Sequence, residues 1–110
     1  MAAPLTGKQR RFLRALAHPL KPVVQIGQAG LSASVLSAID VALESHELIK
    51  VKIGGEGDIA ARALIPEIEQ ATKSSVVQVI GHVLVVYRRR EKDPKIQLPL
   101  GKPDVADEEE

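Results

Sequence analysis

A chain of 110 residues, 45% hydrophobic and 26% charged, is the size of one domain built round one core. Phe12 and Tyr87 are its only aromatic residues and Trp is absent, so the core is aliphatic and a base-stacking platform is argued against. With no Cys, a disulfide scaffold, a thiolate metal site and a cysteine nucleophile are excluded.

The formal charge of +1 conceals a segregation. Asp104, Asp107, Glu108, Glu109 and Glu110 are five of the 14 acidic residues, which leaves residues 1–103 with all 15 basic groups and a net charge of +6. Within residues 1–30, Lys8, Arg10, Arg11, Arg14 and Lys21 meet no acidic residue. Fields of this kind concentrate phosphate polymers, although charge runs also serve simply to solvate a surface. No apolar run approaches the ~20 residues of a membrane span. The first ten residues lack the pattern of a secretory signal. A soluble, cytoplasmic protein with no membrane partner is expected.

Thr6-Gly7-Lys8-Gln9 is a capping box, and it opens a helix whose apolar stripe is Phe12, Leu13 and Leu16. On a helical wheel Arg10, Arg11 and Arg14 lie opposite that stripe, which predicts three guanidinium groups pointing together to solvent. His18-Pro19 ends the helix. Pro22 to Ile26 is short and β-branched and reads as a strand. After Gly27-Gln28-Ala29-Gly30, the spacing of Leu31, Val35, Leu36, Ile39 and Leu43 predicts a helix from near Leu31 to about Ser45.

His46-Glu47 then bridges to the strand Leu48 to Ile53, whose alternation puts Lys50 and Lys52 on one side. Gly54-Gly55-Glu56-Gly57 is a loop, and Asp58 is the expected N-cap of a helix through Ile59, Ala63, Leu64, Ile68 and Ala71. Pro66 predicts a bend in that helix or a second part that starts there. Ser75 to Ile80 and Val83 to Tyr87 flank Gly81-His82, a type II′ hairpin signal. Residues 88–103 are basic and proline-bearing, with Arg88, Arg89, Arg90, Lys92 and Lys95, and Ile96, Leu98 and Leu100 are expected to lie on the body. Residues 104–110 are expected to be disordered. The order α-β-α-β-α-β-β predicts a two-layer α/β domain, a mixed four-stranded sheet with helices packed against it.

The residue sets of catalysis are missing. His18, His46 and His82 fall in three separate connections without metal-ligand spacing, and no nucleophile elbow surrounds Ser32 or Ser34, which read as first-turn residues that satisfy free amides. No catalytic or metal-ligating residue is assigned, no cofactor is expected, and the protein is read as a non-enzyme. The strand, Gly27 to Gly30, helix arrangement does fit phosphate recognition: glycines let a phosphodiester approach main-chain amides, and the helix turns its free N–H groups to the same place. Lys21 lies just upstream. Gly54 to Gly57 has the same spacing, but Glu56 and Asp58 would repel phosphate there.

The stretch from Leu16 to Leu31, then Glu47 to Lys52, and Val77 to Gly81 with Val85 to Arg88, resembles the YhbY-type proteins of bacteria, members of the CRM domain family named for chloroplast RNA splicing and ribosome maturation. The resemblance spans about residues 5–100 and leaves 101–110 as an acidic tail. It implies a fold like the C-terminal domain of bacterial translation initiation factor three. It further implies a stand-alone RNA-binding domain whose bacterial members associate with precursors of the large ribosomal subunit, the family's G-x-x-G loop falling on Gly27 to Gly30; a monomer is expected. Joined to the charge pattern, it gives as candidate RNA-binding residues Gly27, Gln28, Ala29, Gly30, Lys21, Arg10, Arg11, Arg14, Lys50, Lys52, Arg88, Arg89 and Arg90. The alternative is a protein-interaction module whose basic faces dock acidic partners.

Overall fold

The computed structural model describes residues 5–27, 30–54 and 61–99. Along them run α1 (Gly7–Ala17), β1 (Pro22–Ile26), α2 (Ala33–His46), β2 (Leu48–Ile53), α3 (Ile65–Thr72), β3 (Ser75–Ile80) and β4 (Val83–Tyr87). The strands form one mixed sheet in the order β1-β2-β4-β3, with β1 parallel to β2 and the other pairs antiparallel. β1 is an edge strand, where the missing N–H of Pro22 at its first position breaks no ladder.

Strand alternation divides the core. Val24, Ile26, Ile49, Val51, Ile53, Leu84 and Val86 face α2 and α3, where Ile39, Leu43 and Ile68 meet them. Leu48, Val77, Val85 and Tyr87 face the other way, onto Leu13 and Ala17 of α1, with Leu5, Ile96 and Leu98 beside them. The sheet thus carries helices on both faces, α1 adding a partial layer to the two expected. Gly81, at φ +57, makes the hairpin turn between β3 and β4.

The capping box is present: Thr6 Oγ1 accepts from the Gln9 amide at 3.1 Å and the Gln9 side chain accepts from the Thr6 amide at 3.0 Å. The orientation of α1 corrects the wheel. Its buried line is Leu13 and Ala17, whereas Phe12 and Leu16 are 36% and 40% exposed. The helix is therefore turned by roughly 70° from the orientation its most apolar residues suggest. Small Ala17 lets the axis come close to the sheet, and the rotation carries Arg10 and Arg14 from open solvent to the helix flank, half-buried. The restart foreseen at Pro66 is found: residues 61–63 are helical, Leu64 breaks the run, and α3 opens with Pro66 in its first turn. A proline there deletes only an N–H that no helix end satisfies. Asp58 and the acidic tail lie outside the described residues.

Candidate nucleic-acid interface

Because β1 and β2 are parallel, both glycine loops leave the sheet at the same end. The Gly54 amide donates to the Ile26 carbonyl at 2.8 Å, and the hairpin tip adjoins them, with the Ile53 amide donating to the His82 carbonyl at 2.7 Å. The first loop closes on itself, since the Gly30 amide donates to the Gly27 carbonyl and the Ser32 amide to the Gly30 carbonyl, each at 3.0 Å. Gly30 stands at φ +77, a conformation natural to glycine. A Cβ placed on Gly27 or Gly30 would meet nothing within 4 Å, so the backbone there is open to an approaching group. Gln28 and Ala29 lie outside the described residues.

α2 starts at Ala33 rather than near Leu31, with Ser32 as N-cap accepting from the Val35 amide at 3.2 Å, the amide-satisfying part foreseen for the serines. The Gly30 amide, expected to be open to phosphate, already has a partner in the Gly27 carbonyl.

Below this rim α1 leaves part of its face of the sheet uncovered. Gln25 and Lys52 are paired neighbours, and Lys52 and Ile80 both pair with Val83; one row away, Lys50 and Gln78 both pair with Val85. Lys50 and Lys52 therefore share a side, as the alternation predicts, and Ile80 is 48% exposed beside them. Where this surface meets α1 a cleft of about 310 Å³ opens, lined by Arg14, His18, Lys50, Gln78 and Ile80 among others. Lys50 Nζ donates to the His18 carbonyl at 3.4 Å, which holds the ammonium at the cleft. Sequence reasoning missed Gln78, Ile80 and His18 here; the signal for the first two is the strand alternation that identified the lysines.

The charge is two-sided. α1 and the four strands contain no acidic residue, while α2 carries Asp40 and Glu44 and α3 carries Glu67 and Glu69 on the opposite side of the sheet. Arg14, Lys50 and Lys52 thus lie on a surface whose own elements supply no carboxylate.

Other predicted residues are placed differently. Lys21 lies at the far end of β1 from Gly27, about 20 Å along an extended chain, so it does not join the loop. It borders instead an apolar groove of about 470 Å³ with Leu16, Leu20, Val23, Leu48 and Ile96. Arg10 is half-buried and donates to the Val76 carbonyl at 3.3 Å, and Arg11 is half-buried on the same helix.

Arg88 is occupied by the fold: its guanidinium meets Asp40 Oδ1 at 2.6 Å, the Thr72 carbonyl at 2.9 Å and Glu44 Oε1 at 3.4 Å, and its side chain is 18% exposed. Arg89 is exposed, whereas the Arg90 amide is bound to Glu47. The run of three arginines is therefore not one surface, because leaving β4 the chain turns to follow Glu47.

That glutamate was read only as a connector. It is fully buried, and its carboxylate accepts from the amides of Arg90 at 2.8 Å and of Lys95 and Ile96 at 2.7 Å each, which fastens residues 88–96 to the start of β2. Burial, and then the neighbouring Glu47 charge, push the Tyr87 hydroxyl above its ordinary range. Among the described residues no group of three His, Cys, Asp or Glu could hold a metal ion, and no helix is long and apolar enough to cross a membrane.

Comparison with known proteins matches residues 5–88 to the family model described as the CRS1 / YhbY (CRM) domain. A Haemophilus influenzae protein named "RNA-binding protein" is 50% identical over 95 residues, covering 86% of this chain and 95% of its own length. The Bacillus subtilis "Probable RNA-binding protein YqeI" is 37% identical over 95 residues, covering 86% of this chain and 99% of its own. The solution structure of the hypothetical protein SAV1595 from Staphylococcus aureus superposes with a TM-score of 0.77 at 42% identity, covering 87% of this chain and all of that one.

Proposed function

This chain belongs to the CRS1 / YhbY (CRM) domain family, and on that premise we propose that it binds RNA through the uncovered sheet face, with the Gly27 to Gly30 loop at its rim. The observation that carries the reading is the surface of Arg14, Lys50 and Lys52, whose helix and strands supply no carboxylate among the described residues, beside Gly27 and Gly30, where the backbone is sterically open. A phosphodiester chain needs cations spaced along its path and close access to main-chain amides, and needs no aromatic residue to be gripped that way. Arg10, Arg11 and Lys21 widen the positive field from α1 and the start of β1, and Arg89 does so from the chain after β4. Recognition follows shape and backbone, with modest sequence preference.

The RNA is pre-ribosomal and the function is assistance to large-subunit assembly, a finer reading that the resemblance to YhbY-type proteins supports; the protein acts as a monomer. Residues 5–100 are the RNA-binding domain.

Affinity for a fluorescein-labelled 20-nucleotide RNA, measured from 50 to 300 mM salt, tests the surface. Replacing Arg14, Lys50 and Lys52 by Gln reduces the log-log slope by about 2, at roughly 0.7 per lost single-strand phosphate contact. Arg62→Gln with Lys73→Gln, on the α3 side, leaves the slope unchanged. An equal effect of the two sets removes the sheet face from the interface. Gln28→Asp with Ala29→Asp weakens binding without unfolding the protein if phosphate rests at the loop. For the finer reading, the tagged protein co-sediments with precursors of the large subunit, and ribonuclease treatment before a pull-down releases it; association that survives ribonuclease favours docking on acidic proteins.

A further inference from the structure

The cationic face has an occupant of matching chemistry within the chain. Residues 104–110 contain five carboxylates and no basic residue. Their starting point is set by the fold, because Gln9 Nε2 donates to the Pro99 carbonyl at 3.0 Å and so brings the chain beside the first turn of α1. From Gln9 to His18 the helix axis advances about 14 Å. Eight residues of chain can span up to about 27 Å, so the carboxylates between Asp104 and Glu110 are within reach of Arg14 and Lys50. The opposite side of the sheet is less favourable to such a segment: there Arg62 and Lys73 are outnumbered by Asp40, Glu44, Glu67 and Glu69 of α2 and α3, and Arg88 is already paired.

We propose that residues 104–110 dock on the face made by Arg14, Lys50 and Lys52 and compete there with RNA phosphates. The competition rests on the RNA-binding reading; the docking does not. Tethering by a short segment gives the carboxylates an effective concentration in the mM range, so weak contacts suffice, and added salt screens them over a Debye length of about 10 Å at 0.1 M. A long polyanion displaces the segment because it offers more charges than five. The device thus rejects short or isolated anions and admits an extended phosphate chain.

Full-length protein is compared with the variant Asp104→Asn, Asp107→Asn, Glu108→Gln, Glu109→Gln, Glu110→Gln. In amide NMR spectra at 50 mM salt without RNA, the differences between the two proteins cluster at Arg14, Lys50 and Lys52 and collapse in 0.5 M NaCl. With the labelled 20-nucleotide RNA, the variant binds about tenfold more tightly at 50 mM salt. Neutralising the tail also raises net charge; hence the same comparison is made with Arg14, Lys50 and Lys52 all replaced by Gln, where the gain falls to about twofold. Differences confined to residues 95–99, or spread over α2 and α3, overturn the docking, as does an undiminished tenfold gain in the Gln background. Clustered differences in a protein that binds no RNA overturn the RNA reading and leave the docking standing.

Discussion

Glu47→Gln isolates a single buried carboxylate that organises the chain after β4, residues 88–96. In the wild type Oε1 accepts from the amides of Lys95 and Ile96 and Oε2 from that of Arg90, all within 2.7 to 2.8 Å, and the side chain has no solvent contact. Glutamine keeps one acceptor oxygen. If that oxygen serves Lys95 and Ile96, the new NH2 group points at the Arg90 amide, donor against donor. The loss is one charge-assisted bond of about 1.5–3 kcal/mol together with an amide left unsatisfied, partly offset by water as residues 88–96 loosen; about 3 kcal/mol is expected. Set against ~5–15 kcal/mol of total stability, that lowers the melting temperature by roughly 12–20 °C.

Glu47 also sits at φ 65 and ψ −39, strained for a residue with a side chain. Glu47→Gly should therefore be about 1 kcal/mol less damaging than Glu47→Ala, although both remove the carboxylate. Urea unfolding gives the free energies, and hydrogen exchange of the Arg90, Lys95 and Ile96 amides locates the damage. A Gln variant within 0.5 kcal/mol of wild type, with those three amides still protected, would refute the reasoning.

Tyr87→Phe tests a hydroxyl that is buried without a hydrogen-bond partner among the described residues: removing it raises stability by about 0.5–1 kcal/mol in urea unfolding, and a loss of 1 kcal/mol or more would mean that the hydroxyl is satisfied. Because burial in the folded protein holds the Tyr87 pKa above the ordinary tyrosine value, wild-type stability is constant with respect to this group below about pH 10 and declines as pH rises through the folded value. The alkaline decline should be shallower in Tyr87→Phe than in wild type. Gly27→Ala leaves stability within about 0.5 kcal/mol because its Cβ enters open space, so any fall in RNA affinity reports a ligand approaching the backbone. Gly30→Ala, forced to φ +77, costs about 1 kcal/mol in urea unfolding. Arg88→Ala lowers stability by about 1–3 kcal/mol through the lost Thr72 and Asp40 contacts, with no change in the salt slope of RNA binding.

Local chemistry was legible without coordinates. The capping box at Thr6, the hairpin at Gly81, the helix restart at Pro66 and the common side of Lys50 and Lys52 depend on backbone angles and on periods of 3.6 and 2, which neighbouring residues determine among themselves. The family match likewise follows from residue order. Positions that depend on which surfaces meet were not legible. The wheel turns Phe12 and Leu16 inward, but docking chose Leu13 and Ala17, because close approach to a flat sheet favours a small residue over a wholly apolar stripe. Three adjacent arginines read as one patch, yet Arg88 folds back on α2 and α3 while Arg90 follows Glu47.

Lys21 and Gly27 are near in sequence but stand at opposite ends of an extended strand, whereas Lys50 and Gln78, 28 positions apart, line one cleft. Residue order thus determined the elements, their cationic bias and the family. Tertiary structure decided which cations share a surface, because a pleated strand separates its ends by about 3.3 Å per residue while strand pairing sets distant segments about 5 Å apart, or about 10 Å across one intervening strand as for Lys50 and Gln78.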